Sequence, residues 1–376
     1  MKASFVRVLS VAAAAVLPFV SPGGTNDVDR TDPNFVAASL LIADPGADLC
    51  SYLGHACIRL ECSTYKLDYC FSYESEEILS NPWRFLAGDL KMGMFSIPTE
   101  EYLAANRADR RGVRQYYMNL PPEVKQRLWK LLDSRVAEGI NVPYDPLGKS
   151  CAVTALRVIA EACLPKKLVI GHWPFKADAT MREIVRDHSV GYDWHRFFLC
   201  AVFGTEFDKV CDPFDKVIIP ADLLSVLIDS TIDGQPVLAA QPVQLLPHGE
   251  KHKPPVVTPM MLSLVSLALA VFGFIFNWKW LDVFFITFHA VAGCFLAFLV
   301  FGSMLPLNPW NWLLIPFNPL PLVLWHWRRY WAWGFVAVLL AWEAFMLLSP
   351  HQLTDHAYLV VVLAYVIFYA KVARKG

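Results

Sequence analysis

The sequence predicts two parts of different class, an exported α+β domain followed by an all-α membrane bundle. Three observations carry that reading. Hydrophobic types make up 55% of the 376 residues and charged types only 18%, and the mean hydropathy is +0.38. The apolar excess is concentrated, because from Pro259 to Lys371 there are only a handful of charges. Before that stretch, runs with a period of two and a capped helix give ordinary globular patterning. Lys+Arg number 33 against 34 Asp+Glu, so the basic excess that phosphate-backbone binding needs is missing, and nucleic acid is excluded as a partner. An aromatic content of 14% excludes a disordered chain.

Each part follows from local composition. Residues 1–22 carry Lys2 and Arg7, then an apolar run from Val8 to Val20, then Ser-Pro-Gly-Gly. A positive start before a short apolar core is an export signal, either cleaved or kept as an anchor. Residues 34–248 form the exported domain, long enough to bury one sizeable core. Lys251, Lys253, Pro254 and Pro255 make a short polar hinge. Spans are expected at 259–277, 280–303, 307–325, 331–348 and 357–371, each near the ~20 residues that cross hydrocarbon. The third is rich in proline (Pro309, Pro316, Pro319, Pro321) and reads as broken or re-entrant. Nine of the 13 tryptophans lie in this half, mostly beside the gaps, as an interfacial belt. With the domain outside, five crossings put Lys279, Arg328, Arg329, Lys371, Arg374 and Lys375 inside, and the outer loops hold no Lys or Arg.

Chemistry is sought first among the cysteines. Eight of the nine lie in the exported domain, where an oxidising space favours pairing, yet no framework can be assigned from their spacing. No CxxC…CxxC pattern exists, so neither a metal nor a cofactor is called for. In the run ending Gly54-His-Ala-Cys-Ile-Arg-Leu60, alternation sends Ala56, Ile58 and Leu60 to a core and His55, Cys57 and Arg59 to the other face. The run Lys66–Tyr73 alternates again, with Leu67, Tyr69, Phe71 and Tyr73 opposite Asp68, Cys70 and Ser72. Ser63-Thr64 between them suggests a hairpin, in which Asp68 could accept a proton from the His55 ring. Downstream, Ser150 is a good N-cap for a helix beginning at Cys151. A first-turn position favours a thiolate, and the free backbone N–H groups there suit an oxyanion. His55 is the base that such a thiolate needs.

These segments also carry a resemblance. Tyr52-Leu-Gly-His-Ala-Cys-Ile-Arg59, Leu67-Asp-Tyr-Cys-Phe-Ser-Tyr73 and Lys149-Ser-Cys-Ala-Val-Thr154 resemble the exported domain of Bacteroides-type lipoprotein N-acyltransferases, the Lnb family. Phe85–Leu90, Leu120–Lys125, Met181-Arg182, Trp194, Gly204, Asp208 and Pro220 follow in the family's order, so about residues 37–246 are covered. Asn311-Trp312 and Asn318-Pro-Leu320 in the tail look familiar too. The resemblance implies a circularly permuted papain-like domain, His before Cys along the chain, at the outer face of the bacterial inner membrane. It implies Cys151 as nucleophile and His55 as its base, with a phospholipid as acyl donor and a diacylated lipoprotein as acceptor. Ser72 stands where the family usually has Asn, and Lys149-Ser150 where it often has Asp-Asn.

Asp68 is therefore the residue-level choice for the third group, with Arg59 and Tyr73 as substrate-binding candidates; Arg59 shares the His55 face and could meet a lipid phosphate. His172 and His195 read as loop or capping residues. His289 and Glu343 fall within expected spans, where an ionisable side chain is costly and worth a functional question. Two competitors remain at this level. One is a thiol hydrolase using water as acceptor, a phospholipase or a peptidase; the other is a non-catalytic membrane receptor or assembly factor.

Overall fold

The computed structural model describes residues 35–76, 78, 80–145, 148–249, 252–306, 310–349 and 355–375. The stretch read as an export signal lies outside them. Among the described residues the strands are β1 (Ala37–Ala43), β2 (His55–Cys62), β3 (Leu67–Ser75), β4 (Lys91–Pro98), β5 (Val113–Tyr117), β6 (Val142–Pro143), β7 (Thr231–Ile232), β8 (Gln235–Pro236) and β9 (Val243–Leu246). The first eight helices are α1 (Pro82–Ala87), α2 (Thr99–Ala108), α3 (Pro122–Ala137), α4 (Cys151–Cys163), α5 (Met181–His188), α6 (Asp193–Val202), α7 (Pro213–Lys216) and α8 (Pro220–Ile228). The apolar half adds α9 (Pro259–Phe276), α10 (Lys279–Phe301), α11 (Leu320–Val323), α12 (Arg328–Leu348) and α13 (Ala357–Lys375).

Two compact units result. The first comprises Met1–Pro82, Leu90–Ala177 and Cys211–His252. It is a mixed α/β unit around a seven-stranded antiparallel sheet of order β6-β4-β3-β2-β1-β5-β9. The alternation read in the sequence sorts its two faces. Ala56, Ile58, Leu60 and Phe71 join Leu40 and Ile42 in the main core, under Val124, Leu128 and Leu132 of α3 and Leu156 and Ile159 of α4. Cys57 and Cys70 point the other way, into a smaller cluster with Leu41, Val113, Leu246 and Tyr102 of α2. A one-residue slip would exchange these two sets, so burial of both faces fixes the register.

The second unit comprises Trp83–Asp89, Asp178–Val210 and Lys253–Gly376. Composition groups 178–210 with the exported domain, but Phe197, Cys200 and Ala201 of α6 pack into this unit's apolar cluster. Four of its helices are long and apolar enough to cross a membrane: α9, α10, α12 with the turn before it, and α13. One end of this bundle is marked by Lys371, which bonds Asp282 and, at 3.2 Å, the Trp278 carbonyl. Arg374 lies over the Phe274 ring there, so the end of α13 sits beside the α9–α10 turn. At the other end Asp355, just before α13, pairs with Arg196 at 3.0 Å.

The proline-rich stretch 307–325 is not a long helix. Its described part consists of a 3-10 turn at Trp312–Leu314, the single turn α11 and a second 3-10 turn at Trp325–Trp327. Proline removes backbone donors and blocks the preceding turn, so four of them prevent a continuous helix. The segment is pinned along its length instead. Trp342 Nε1 donates to the Trp312 carbonyl at 2.9 Å, and Trp331 Nε1 to the Leu324 carbonyl at 2.8 Å. His289 Nε2 meets the Asn318 carbonyl at 2.7 Å. Since a carbonyl only accepts, Nε2 carries the proton, and Nδ1 takes the Tyr369 hydroxyl at 3.2 Å. The segment thus runs antiparallel to α12, from Trp342 to Trp331, a rise of ~16 Å at about 1.5 Å per residue. Gly293 permits the close approach: a Cβ there would clash with the Phe317 carbonyl oxygen and stand 3.1 Å from Asn318 C and Pro319 N.

Candidate active site

Helix α4 begins as the sequence predicts. The Ser150 side chain accepts from the Val153 amide at 3.2 Å, and Cys151 is the first helical residue. On the strand side, β2 pairs with β1 as far as His55, and β3 pairs with β4 as far as Ser75. The β2–β3 ladder, however, stops at Ile58↔Phe71. Amides at the start of β2 are therefore free of that ladder, and the Cys151 sulfur takes a hydrogen bond from Ala56 N–H. The His55 ring hydrogen-bonds the same thiol.

Behind the ring stand two groups of β3. Ser72 Oγ lies 2.6 Å from His55 Nε2, and Glu74 Oε1 lies 3.5 Å from it. Ser72 also hydrogen-bonds Glu74, so a proton chain runs from imidazole through hydroxyl to carboxylate. The electrostatics follow from these contacts. Burial alone disfavours charge on His55, but the Cys151 sulfur and then Glu74 outweigh it and push its pKa up to about 10. Burial likewise opposes a thiolate at Cys151, yet the His55 charge, its hydrogen bond and the Ala56 amide bring that pKa below the ordinary thiol value. Glu74 is held below the usual carboxylate range, against its burial, by His55, Ser72 and the Arg111 charge. Cys57, Cys163 and Cys211 go the other way, pushed up by burial. The arrangement favours a thiolate–imidazolium pair at rest.

Asp68 is not part of this group. It accepts two bonds from Arg59, both 2.8 Å, and the Thr99 hydroxyl at 2.5 Å. Register explains the difference. Asp68 pairs with Glu61, and the same register carried to the strand end sets Glu74 opposite His55. Six residues along an extended strand are ~20 Å, too far for any carboxylate to bridge. The expectation that Asp68 orients the ring is thus corrected, and Ser72 and Glu74 occupy that place. Sequence reasoning ended the second run at Tyr73; one more step of alternation would have placed Glu74 on the face of His55.

Arg59 is also committed elsewhere. Its guanidinium bonds Asp68, Glu61 at 2.8 Å and the Gln115 side-chain carbonyl at 2.9 Å, which corrects its assignment to a lipid phosphate. Tyr73 packs half-buried against the main core, with its phenol pushed up by burial. His172 is exposed in the loop after α4, and His195 lies in the second unit with its ring edge-on to Tyr192 at 5.4 Å. All nine cysteines are free thiols. Tyr102 of α2 closes the site from the other face, its ring centroid 6.4 Å from that of His55.

With this geometry in view, residues 27–184 match the family model described as the Lnb N-terminal periplasmic domain. The resemblance read in the sequence is therefore supported over the region that holds both His55 and Cys151. No curated protein and no solved structure matches the chain. The periplasmic domain together with four helices able to span a membrane marks a multi-pass membrane protein with its N-terminal domain in the periplasm. The family match points to an enzyme with a membrane-associated role in lipoprotein processing.

Proposed function

We propose that this protein is a lipoprotein N-acyltransferase that works through a Cys151 thioester, on a domain of permuted papain-like type at the outer face of the inner membrane. The observation that carries the reading is the His55 ring set between the Cys151 thiol and the Ser72–Glu74 pair. In the first half-reaction the Cys151 thiolate attacks the ester carbonyl of a phospholipid. The tetrahedral oxyanion is met by N–H groups of the first α4 turn, ahead of the Val153 amide that Ser150 occupies. The C–O bond breaks, the His55 imidazolium gives its proton to the departing alkoxide, and a lysophospholipid leaves. In the second half-reaction the α-amine of a diacylglyceryl-cysteine attacks the thioester. His55 takes the amine's proton, and the thiolate is released with the amide formed.

Glu74 steadies the imidazolium in both halves, so its own position matters more than any proton it gains. Both substrates are tied by their tails to one leaflet, which raises their effective concentration at a domain joined to membrane helices. We propose five crossings in this bundle, the four long helices and, third in order, the non-helical segment around Asn318. That arrangement groups Lys279, Arg328 and Arg374 at one end, as the positive-inside rule asks.

The test is mass spectrometry of a lipoprotein N-terminal peptide from cells lacking other N-acyltransferases, with this protein or its Cys151→Ala variant. A third acyl chain seen only with the intact cysteine is the expected result. Equal acylation by both removes Cys151 from the mechanism. No acylation by either, with free fatty acid or cleaved peptide appearing, assigns the thiol to a hydrolase.

A further inference from the structure

A cleft of about 290 Å³ opens in the second unit, between α5, α6 and the first turns of α9 and α13. Its upper wall is charged. Arg196 sits between two carboxylates, Asp193 at 2.9 Å and Asp355 at 3.0 Å. Arg186 faces the same space, and its ion-pair contact, 3.4 Å to the neighbouring Asp187, is to a carboxylate that is itself 69% exposed. Its guanidinium therefore keeps donors for another acceptor. Beside Thr258 and His356 the wall carries two arginines and two aspartates, whose charges cancel but stand apart. Arg186 is the available cation and Asp193 the accessible acid, since Asp355 is 5% exposed and already accepts from Arg196 and from the Ala357 amide.

The floor is different. Pro259 and Met260 line it, and they begin α9, an apolar helix long enough to cross a bilayer. Trp194 donates its indole N–H to the Val257 carbonyl at 2.8 Å just before that helix, where an interfacial aromatic belongs. A polar wall over an apolar floor at the start of a span corresponds to the headgroup layer of a bilayer, with acyl chains running down beside α9.

We propose that this cleft binds the headgroup of a zwitterionic phospholipid bearing a primary amine. The phosphodiester is held by Arg186, and the ammonium by the Asp193 carboxylate, the more exposed of the two acids. Separated poles with no net charge disfavour an anionic headgroup, whose phosphate would have no internal cation beside it. A primary ammonium can donate to that carboxylate, which a quaternary ammonium cannot. The site shares no residue with the thiol chemistry and does not depend on it.

The experiment uses the full chain in nanodiscs of equal phosphatidylethanolamine, phosphatidylglycerol and phosphatidylcholine, followed by native mass spectrometry of the lipid kept on release. Phosphatidylethanolamine is expected to be enriched, and Arg186→Glu to reduce that enrichment about tenfold, the worth of one charge-assisted bond. Arg186→Lys, which keeps the charge, should retain most of it. Thermal melting of each variant controls for folding. Cys151→Ala should leave the enrichment unchanged, which separates this site from the acyl-transfer reading. Retention of all three lipids in equal amounts, preference for phosphatidylglycerol, or enrichment that survives Arg186→Glu would overturn the proposal.

Discussion

Two histidines of this protein make a useful pair. His55 and His289 both use their rings in hydrogen bonds to protein partners. His289 is fully enclosed, between a backbone carbonyl of Asn318 and the Tyr369 phenol, with Phe317, Phe335 and Tyr365 around it. His55 keeps 21% of its side chain exposed and faces groups that can carry charge, a thiol on one side and a carboxylate on the other. Hydrogen bonding alone therefore does not separate a structural histidine from a chemical one. What separates them is whether the partners ionise and whether a substrate can reach the ring.

The largest expected effect tests that distinction directly. His55→Gln should lower the rate of lipoprotein acylation by about 10²–10⁴, the usual worth of a general acid–base group, with little loss of folded protein. His289→Leu should do the reverse. It leaves the Asn318 carbonyl and the Tyr369 hydroxyl without their partner, at a cost of about 1–3 kcal/mol each way one counts the orphaned group, while the rate per folded molecule stays the same. Measuring both rate and melting temperature for the two variants decides it. A His289 variant that melts normally but has lost its chemistry would break the comparison.

A second, smaller effect sharpens it. The reactive thiolate–imidazolium form exists between the lowered Cys151 pKa and the raised His55 pKa of about 10. Acylation should fall as pH drops through the first, because the thiolate is protonated. It should fall again as pH rises through the second, because the departing alkoxide loses its proton source. Glu74→Gln removes a negative charge that favours imidazolium, so the His55 pKa drops, and it also removes the direct repulsion by which Glu74 opposes the Cys151 thiolate. The alkaline limb of the acylation profile should therefore move down by about one unit, a tenfold loss of imidazolium there, with no loss of thiolate on the acid side. An unmoved profile would leave Glu74 without a part in the site.

How much of this was legible in the residues depends on the range of the interactions. The two faces of β2 and β3 follow from alternation, and the start of α4 from Ser150, because both are local. The place of Cys151 beside His55 could be argued only from residue types and from the resemblance, since the two meet across almost a hundred positions. Asp68 was misplaced for a narrower reason. The hairpin was anticipated, but its closing pair Cys62↔Leu67 was not, and that pair decides which acid stands across from His55. The proline-rich stretch was anticipated as broken. Its three hydrogen-bonded pins could not be, because they depend on which tryptophans and which histidine face it.

Gly293 offers a test on the enclosed side of the comparison, at a magnitude below those of the site variants. A Cβ there would clash with the Phe317 carbonyl oxygen and stand 3.1 Å from Asn318 C and Pro319 N, all of them backbone atoms that cannot swing aside. Gly293→Ala should therefore cost about 1–3 kcal/mol of stability, as overpacking does, and disturb the His289 bond to Asn318. Melting in detergent measures it, and an unchanged melting temperature would mean that the segment does not pack against α10 this closely.

The smallest expected effect concerns the acid that sequence reasoning preferred. Asp68 is nearly half exposed, so its pair with Arg59 is screened and Asp68→Asn should cost only about 1 kcal/mol. The sign with pH is fixed by the direction of its shift. Arg59 and Thr99 hold Asp68 below the ordinary carboxylate value, against its partial burial. Its stabilising contribution is thus present above that ordinary value and is lost as pH falls through the lowered one. Wild type and Asp68→Asn should differ in urea midpoint at neutral pH and converge in acid. The alkylation profile of Cys151 should be the same in both, because some 20 Å of strand separates Asp68 from the imidazole. If Asp68→Asn instead moved the alkaline limb of the acylation profile as Glu74→Gln does, the two carboxylates of β3 would be acting as one network. The division of labour along this strand would then have to be redrawn.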